Sequence, residues 1–290
     1  MMKNEPLVSV IVYSRNSAKF IKSCLESLKN QSYKNIEIII VDNNSIDNTK
    51  TISSDYTNKI YNYGPERAHQ VNFGVAKSKG IYVMWKGPST VVEQTFIEQA
   101  VKKCEGESYD AIYFDVLTKV ENPNIWQKVR ATERMCYYKE SGMSSAKFCR
   151  KDVFLKLGGL DCELGAIADD LAFQHILNLN GFKTGFVDAN IYYLGEHNSM
   201  KIIIRRSLYY GWLMQRYYKK YPKKFKSQYR FIRKEFKKNI LMHSKIVFIS
   251  FIFYKLAQYC FGGFGLLLAK ITNNNPKIEK ILYRINFGIS

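Results

Sequence analysis

The chain opens on an apolar, β-branched run, Leu7-Val8-Ser9-Val10-Ile11-Val12-Tyr13, closed by turn-forming Ser14-Arg15-Asn16-Ser17. Phe20, Ile21, Cys24, Leu25 and Leu28 recur at helical spacing, and 36–41 is a second apolar run, stopped at Asp42-Asn43-Asn44-Ser45. The alternation then continues. It predicts a short helix from Asp47, a strand at 59–61, a helix over 66–79 ended by Gly80, a strand at 81–85, a helix over 92–104 and a strand at 110–116. Strands alternating with helices at this spacing predict βαβ units and a mainly parallel sheet. Because the strands are continuously apolar, both faces of that sheet are expected to be covered. Ligands of such sheets sit beyond the carboxyl ends of the strands. That gathers residues 14–16, 42–45 and 86–90 around one crevice.

Past residue 115 the pattern turns helical and irregular. A helix is expected over 125–138, and a segment at 144–154 leads to Gly158-Gly159-Leu160-Asp161 and the acidic turn Asp169-Asp170. A helix at 171–179 ends on Asn180-Gly181, with short strands at 184–187 and 190–194. From residue 200 the chain reads as helical, basic and aromatic. The expected division is an α/β domain over 1–221 and a basic, aromatic helical region over 222–290.

Charge sharpens that division. Of 44 Lys+Arg and 25 Asp+Glu, residues 1–200 hold 24 and 23, and residues 201–290 hold 20 and 2 (Glu235 and Glu279). Nearly all of the net +19 therefore sits in the last ninety residues and seeks a polyanion. Nucleic acid is the weaker partner, because no RNP motif, helix-turn-helix signature or zinc finger occurs and the charge abuts apolar sequence. Lys245 and Lys270 bracket a segment whose only charge is Lys255 and which Gly262-Gly263 and Gly265 interrupt. Ile278, Ile281, Leu282, Ile285 and Phe287 add an amphipathic stripe. In-plane insertion at an acidic membrane surface, a single span and a buried core helix all suit this segment, in that order of fit. Six cysteines with no CxxC pair, and no secretory signal, suit reduced thiols and a cytosolic setting.

Val8-Ser9-Val10-Ile11-Val12 with Asn16, Cys24-Leu25-Glu26-Ser27-Leu28, Gln31-Ser32-Tyr33, the run from Ile36 to Asp42 and Asn44-Ser45-Ile46-Asp47 resemble the opening of family 2 glycosyltransferases. Glu66-Arg67-Ala68-His69-Gln70-Val71-Asn72-Phe73-Gly74, then Arg150-Lys151-Asp152-Val153-Phe154 with Gly158-Gly159-Leu160-Asp161, follow in the family's order over roughly residues 6–222. The resemblance implies a GT-A fold: a Rossmann-like, mixed but mainly parallel sheet flanked by helices. It also implies hexosyl transfer from a nucleotide-diphosphate sugar to an acceptor hydroxyl, with inversion. With the tail, it points to a lipid-linked or glycan acceptor at the cytoplasmic face of the membrane. The alternative is an inactive member that binds nucleotide or glycan, or serves as a scaffold.

Site residues follow from the same resemblance. Asp169 falls on the family's catalytic acidic position, with Asp170 beside it; a helix cap is the plainer role for both. Ser14, Asn16, Asp42, Arg67, Asn72, Lys86 and Arg216 are the expected donor-binding residues. Asp42 also suits a turn cap, Arg67 a solvated surface, and His197 either a diphosphate contact or a structural place. Two departures stand out. Where the family shows Pro-Thr-Tyr-Asn this chain has Tyr13-Ser14-Arg15-Asn16, and where it shows Asp-x-Asp this chain has Gly87-Pro88-Ser89. The second removes both carboxylates that would hold Mg²⁺ or Mn²⁺. No metal ligand is expected, and Lys86, Arg67 or an arginine of the 205–216 segment is the expected substitute cation.

Overall fold

The computed structural model describes residues 5–139, 144–165, 168–228 and 244–287. These fall into two compact units. The first draws on 1–119, 138–165 and 169–195, the second on 120–137 and 196–290.

The first unit is built on strands β1 (Val8–Ser14), β2 (Ile36–Asp42), β3 (Ile60–Asn62), β4 (Tyr82–Lys86), β6 (Ala111–Tyr113), β8 (Ala146–Arg150) and β9 (Thr184–Gly185). Their order is β3-β2-β1-β4-β8-β6-β9. The β3-β2-β1-β4 block and the β6-β9 pair are parallel, while β8 runs antiparallel to both β4 and β6. The expected single strand over 110–116 is two strands: β6 stays in the main sheet. β7 (Val116–Thr118) joins β5 (Thr90–Val92) and β10 (Ile191–Tyr193) in a small second sheet ordered β5-β10-β7.

Period-two alternation sends successive side chains to opposite faces. Val8, Val10, Val12, Tyr82 and Met84 meet Ile21, Leu25 and Leu28 of helix α1 (Ala18–Lys29) and Phe96, Ile97 and Val101 of α4 (Phe96–Glu107). Ile11, Val83 and Trp85 meet Val71 and Val75 of α3 (Arg67–Lys77) and Phe173 and Leu177 of α7 (Asp169–Leu179). Each fully buried aliphatic or aromatic side chain contributes about 1.5–3 kcal/mol. The double-sided burial explains why these strands carry no polar alternation.

The second unit is helical: α5 (Ile125–Tyr137), α8 (Met200–Lys220), α9 (Pro222–Gln228), α10 (Lys245–Ile271) and α11 (Pro276–Phe287). By packing, α8 joins the C-terminal helices, although the sequence boundary was drawn after residue 221. Part of the expected basic, aromatic region over 222–290, at 229–243, lies outside the described residues. Along α8 and α10 the two backbones touch. A Cβ on Gly211 would overlap the Gly262 carbonyl, and one on Gly265 would overlap the Leu208 carbonyl. Lys255, the charge that interrupts the apolar run, points inward. Its Nζ donates to Glu133 Oε1 at 2.7 Å and to Gln258 Oε1 at 2.7 Å. Arg130 and the Tyr254 hydroxyl complete the cluster around Glu133. Burial alone would raise the Glu133 carboxyl, but Lys255 and Arg130 outweigh it and hold the group at about 2.

Candidate active site

The carboxyl ends of β1 and β2 are tied together by side chains. Asp42 is fully buried and accepts from Ser14 Oγ at 2.8 Å, Ser45 N at 2.7 Å and Ser45 Oγ at 2.6 Å. Gln70, reaching up from α3, donates to the Ser14 carbonyl at 3.0 Å and the Val41 carbonyl at 2.7 Å. Asn16 is exposed in a left-handed conformation (φ 46°); its backbone N–H donates to Ser45 Oγ and its Oδ1 accepts from Ile46 N. Ser14, Asn16 and Asp42 therefore form one braced loop pair, as their common place at the strand ends predicts.

Arg67 begins α3 and Asp169 begins α7. The guanidinium makes a bidentate pair with Asp169, Nε lying 2.9 Å from Oδ2, and its Nη2 is 3.7 Å from Asp170 Oδ1. A fork-on-carboxylate pair of this kind is directional as well as charged. Asp169 is sealed, its side chain 0% exposed, whereas Asp170 keeps 14%. Asp170 Oδ2 also takes Lys147 Nζ at 3.0 Å and Ser145 Oγ at 3.3 Å. Burial would raise the Asp170 carboxyl, but Lys147 and Arg67 outweigh it and hold it at about 2. Lys147 sits on β8, the strand that the sequence pattern does not reveal, so this partner was not foreseen. Burial raises the Tyr13 phenol above its ordinary value, against the opposing effect of the nearby Arg67 guanidinium.

Three expected donor-binding residues are committed elsewhere. Lys86 is 1% exposed, on the same strand parity as Tyr82 and Met84. Its Nζ donates to Cys24 Sγ at 2.9 Å and to the Thr90 carbonyl at 2.6 Å, inside the α1 face and turned away from the crevice. Asn72 clamps the glycine-rich turn: Nδ2 donates to the Leu160 carbonyl at 2.8 Å and Oδ1 accepts from Leu160 N at 2.9 Å. Arg216, in the second unit, pairs with Glu279 of α11. In that unit, burial, reinforced by Arg206, Arg130 and Arg134, lowers His197 to about 3, so its imidazole is neutral at physiological pH.

Divalent-metal chemistry finds no matching donor set here. Gly87 and Ser89 carry no carboxylate, and among the described residues no three His, Cys, Asp or Glu side chains converge. Asp115, at the end of the first unit's fifth predicted strand, is occupied by the Lys139 backbone N–H and the Ser144 hydroxyl.

A sheet with this strand order, and acidic and basic side chains at its carboxyl edge, defines the GT-A class of nucleotide-sugar fold. Residues 9–153, half of the chain, match the model of the Glycosyl transferase family 2, and the chain belongs to that family. An uncharacterized glycosyltransferase of Rickettsia typhi is 30% identical over 123 residues, 41% of this chain and 35% of that protein. The match thus spans about a third of that relative's length. Among solved structures, a mannosyltransferase of Pyrobaculum calidifontis in complex with GDP-Man and Mn²⁺ aligns with a TM-score of 0.56 at 15% identity, over 99% of this chain and 82% of that one. Residues 1–349 of TarS from S. aureus, in complex with UDP, align with a TM-score of 0.53 at 14% identity, over 92% of each chain.

Proposed function

We propose that this protein is an inverting glycosyltransferase that moves a hexosyl group from a nucleotide-diphosphate sugar to a hydroxyl of a lipid-linked or glycan acceptor. The observation that carries this is the acidic pair opening α7, held against Arg67 at the carboxyl edge of the sheet. An inverting transfer needs a carboxylate to accept the acceptor's proton and a cation to meet the departing diphosphate. Asp170 is the better proton acceptor of the two, because Asp169 is sealed under the guanidinium and Asp170 is not. This moves the role by one residue from the sequence expectation. A diphosphate that draws on Arg67 weakens its hold on both acids and raises their basicity towards the ordinary range. Nucleotide release from a panel of nucleotide sugars, measured on the purified full chain, tests the reading; binding without release for every acceptor tried would sink it.

The second reading, an inactive nucleotide- or glycan-binding member, is favoured by the full occupation of Asp169 and by Gly87 and Ser89 at the Asp-x-Asp position. The donor set also argues for donor binding that does not use a divalent ion. Binding of the preferred nucleoside diphosphate, followed calorimetrically, is expected to change by less than about twofold on adding EDTA. A strict Mn²⁺ or Mg²⁺ requirement would overturn that expectation.

Membrane attachment belongs to the same proposal. Helix α10, at 27 residues, is long and apolar enough to cross a bilayer. Yet one of its faces is packed against protein. Ile246, Ile249, Ile252, Phe253, Leu256 and Leu267 are exposed, while Val247, Phe251, Tyr254 and Lys255 are buried. Its companion α8 carries Arg205, Arg206 and Arg216, and a span would draw those arginines into hydrocarbon at high cost. In-plane attachment through the outward row, with the basic tail on anionic headgroups of the cytoplasmic leaflet, avoids that cost. Phe253→Glu with Leu256→Glu is expected to reduce co-sedimentation with anionic vesicles at least roughly tenfold. Unchanged sedimentation would remove α10 as the anchor.

A further inference from the structure

The two places where this chain departs from its family's usual motifs touch each other. Tyr13 stands where the family shows proline, and Gly87 where it shows the first carboxylate of Asp-x-Asp. The parallel register of β1 on β4 ends at Val12 opposite Lys86, so these two residues lie one step beyond the last paired position. A Cβ on Gly87 would sit 3.3 Å from the Tyr13 hydroxyl oxygen and 3.4 and 3.5 Å from ring atoms Cε2 and Cζ. The phenol has to give by a few tenths of an ångström to admit that atom, so it crowds a side chain placed at 87. Glycine at 87 and tyrosine at 13 are thus matched: the phenol packs where a side chain at 87 would begin.

That phenol is not isolated. It lies within electrostatic reach of Arg67, whose guanidinium grips Asp169. Burial raises the Tyr13 phenol, which therefore keeps its proton at neutral pH and acts as a donor, not as an anion. A guanidinium has five N–H donors, enough to hold a carboxylate and a phosphate oxygen together. Lys86, the nearest lysine in sequence, is excluded by its burial against Cys24.

We infer that Tyr13 and Arg67 together form the diphosphate contact, the phenol O–H and the guanidinium supplying the positive end that a divalent ion supplies where Asp-x-Asp is present. The inference rests on the glycosyltransferase reading and names the residues by which that site would hold its donor. It gives Tyr13 a direct ligand role and makes Gly87 the residue that leaves space for it.

Isothermal titration of the full-length protein in EDTA, with UDP against UMP and GDP against GMP, tests this. Tyr13→Phe keeps the ring and removes only the hydroxyl. It is expected to weaken the diphosphate that binds by about tenfold, the worth of one charge-assisted hydrogen bond, and to leave the matching monophosphate within about twofold. Equal affinity of wild type and Tyr13→Phe for the diphosphate would overturn the inference and leave the glycosyltransferase reading standing. Equal weakening of the two nucleotides would overturn it as well, since it would signal a general disturbance of the site. So would a gain of tenfold or more on adding Mn²⁺ to the wild type. Absence of any nucleotide binding by the wild type would instead remove the glycosyltransferase reading, and this inference with it.

Discussion

Asp170→Asn is expected to lower turnover by roughly 10²–10⁴, the usual worth of a positioned general base, with little change in donor affinity. Asparagine keeps the shape and the bond from Lys147 but cannot accept a proton. Asp169→Asn is expected to act differently. It frees Arg67 from its bidentate partner, so donor affinity and stability should move along with rate. Single-turnover kinetics on both variants separate the two. A mild Asp170→Asn beside a crippled Asp169→Asn would return the base role to Asp169. The pH profile carries a second check. Asp170 is held at about 2, below its ordinary 3.8, so it is already ionised throughout the neutral range. In the unliganded protein its stabilising contribution is present above pH 4 and lost only as pH falls through 4 towards 2. An acidic limb near pH 6 in kcat/KM would therefore have to come from another group.

Glu133→Ala is expected to cost the second unit about 3–5 kcal/mol, because it leaves Lys255 buried against no carboxylate and Arg130 with Glu196 alone, 3.6 Å from its Nε. Chemical denaturation in detergent measures this. Adding Lys255→Met to the same variant should recover part of the loss, since a buried apolar side chain tolerates the site that an unpaired ammonium does not. A single Glu133→Ala within 1 kcal/mol of wild type, by the ordinary scatter of surface changes, would mean that water reaches the cluster. The sign with pH is again fixed. Glu133 is depressed to about 2 from an ordinary 4.5, so its contribution fades only as pH drops below that ordinary value.

Much of the first unit was legible because its strands and helices follow the two hydrophobic periods without interruption. Strands β1, β2, β3 and β4 fall where unbroken apolar runs place them, and Asp42 and Ser14 meet because both end parallel neighbours. Lys86 was assigned to the crevice by its position along the strand, and strand alternation turns it the other way. The face shared by Tyr82 and Met84 is the α1 face, and Lys86 follows them into it. Other features had no local signal. Strand β8 holds lysine and arginine in five residues and inserts antiparallel between β4 and β6, an arrangement set by tertiary pairing alone. Arg67 and Asp169 are 102 residues apart, and Glu133 and Lys255 are 122 apart. Neither pairing can be derived from spacing, although an isolated lysine within an apolar helix is a fair prompt to look for a buried acid.

The glycine seam between α8 and α10 has a consequence for evolution and engineering alike. Because the two backbones touch at Gly211–Gly262 and Gly265–Leu208, α10 has a single permitted roll angle about its own axis. The row that α10 turns outward is thus chosen by residues on its packed side. A methyl group added at position 211 would overlap the Gly262 carbonyl and push the pair apart, so the aim of the outward row depends on the packed side of the helix. Redesign of the outward row of α10 therefore has to leave alone the seam that aims it.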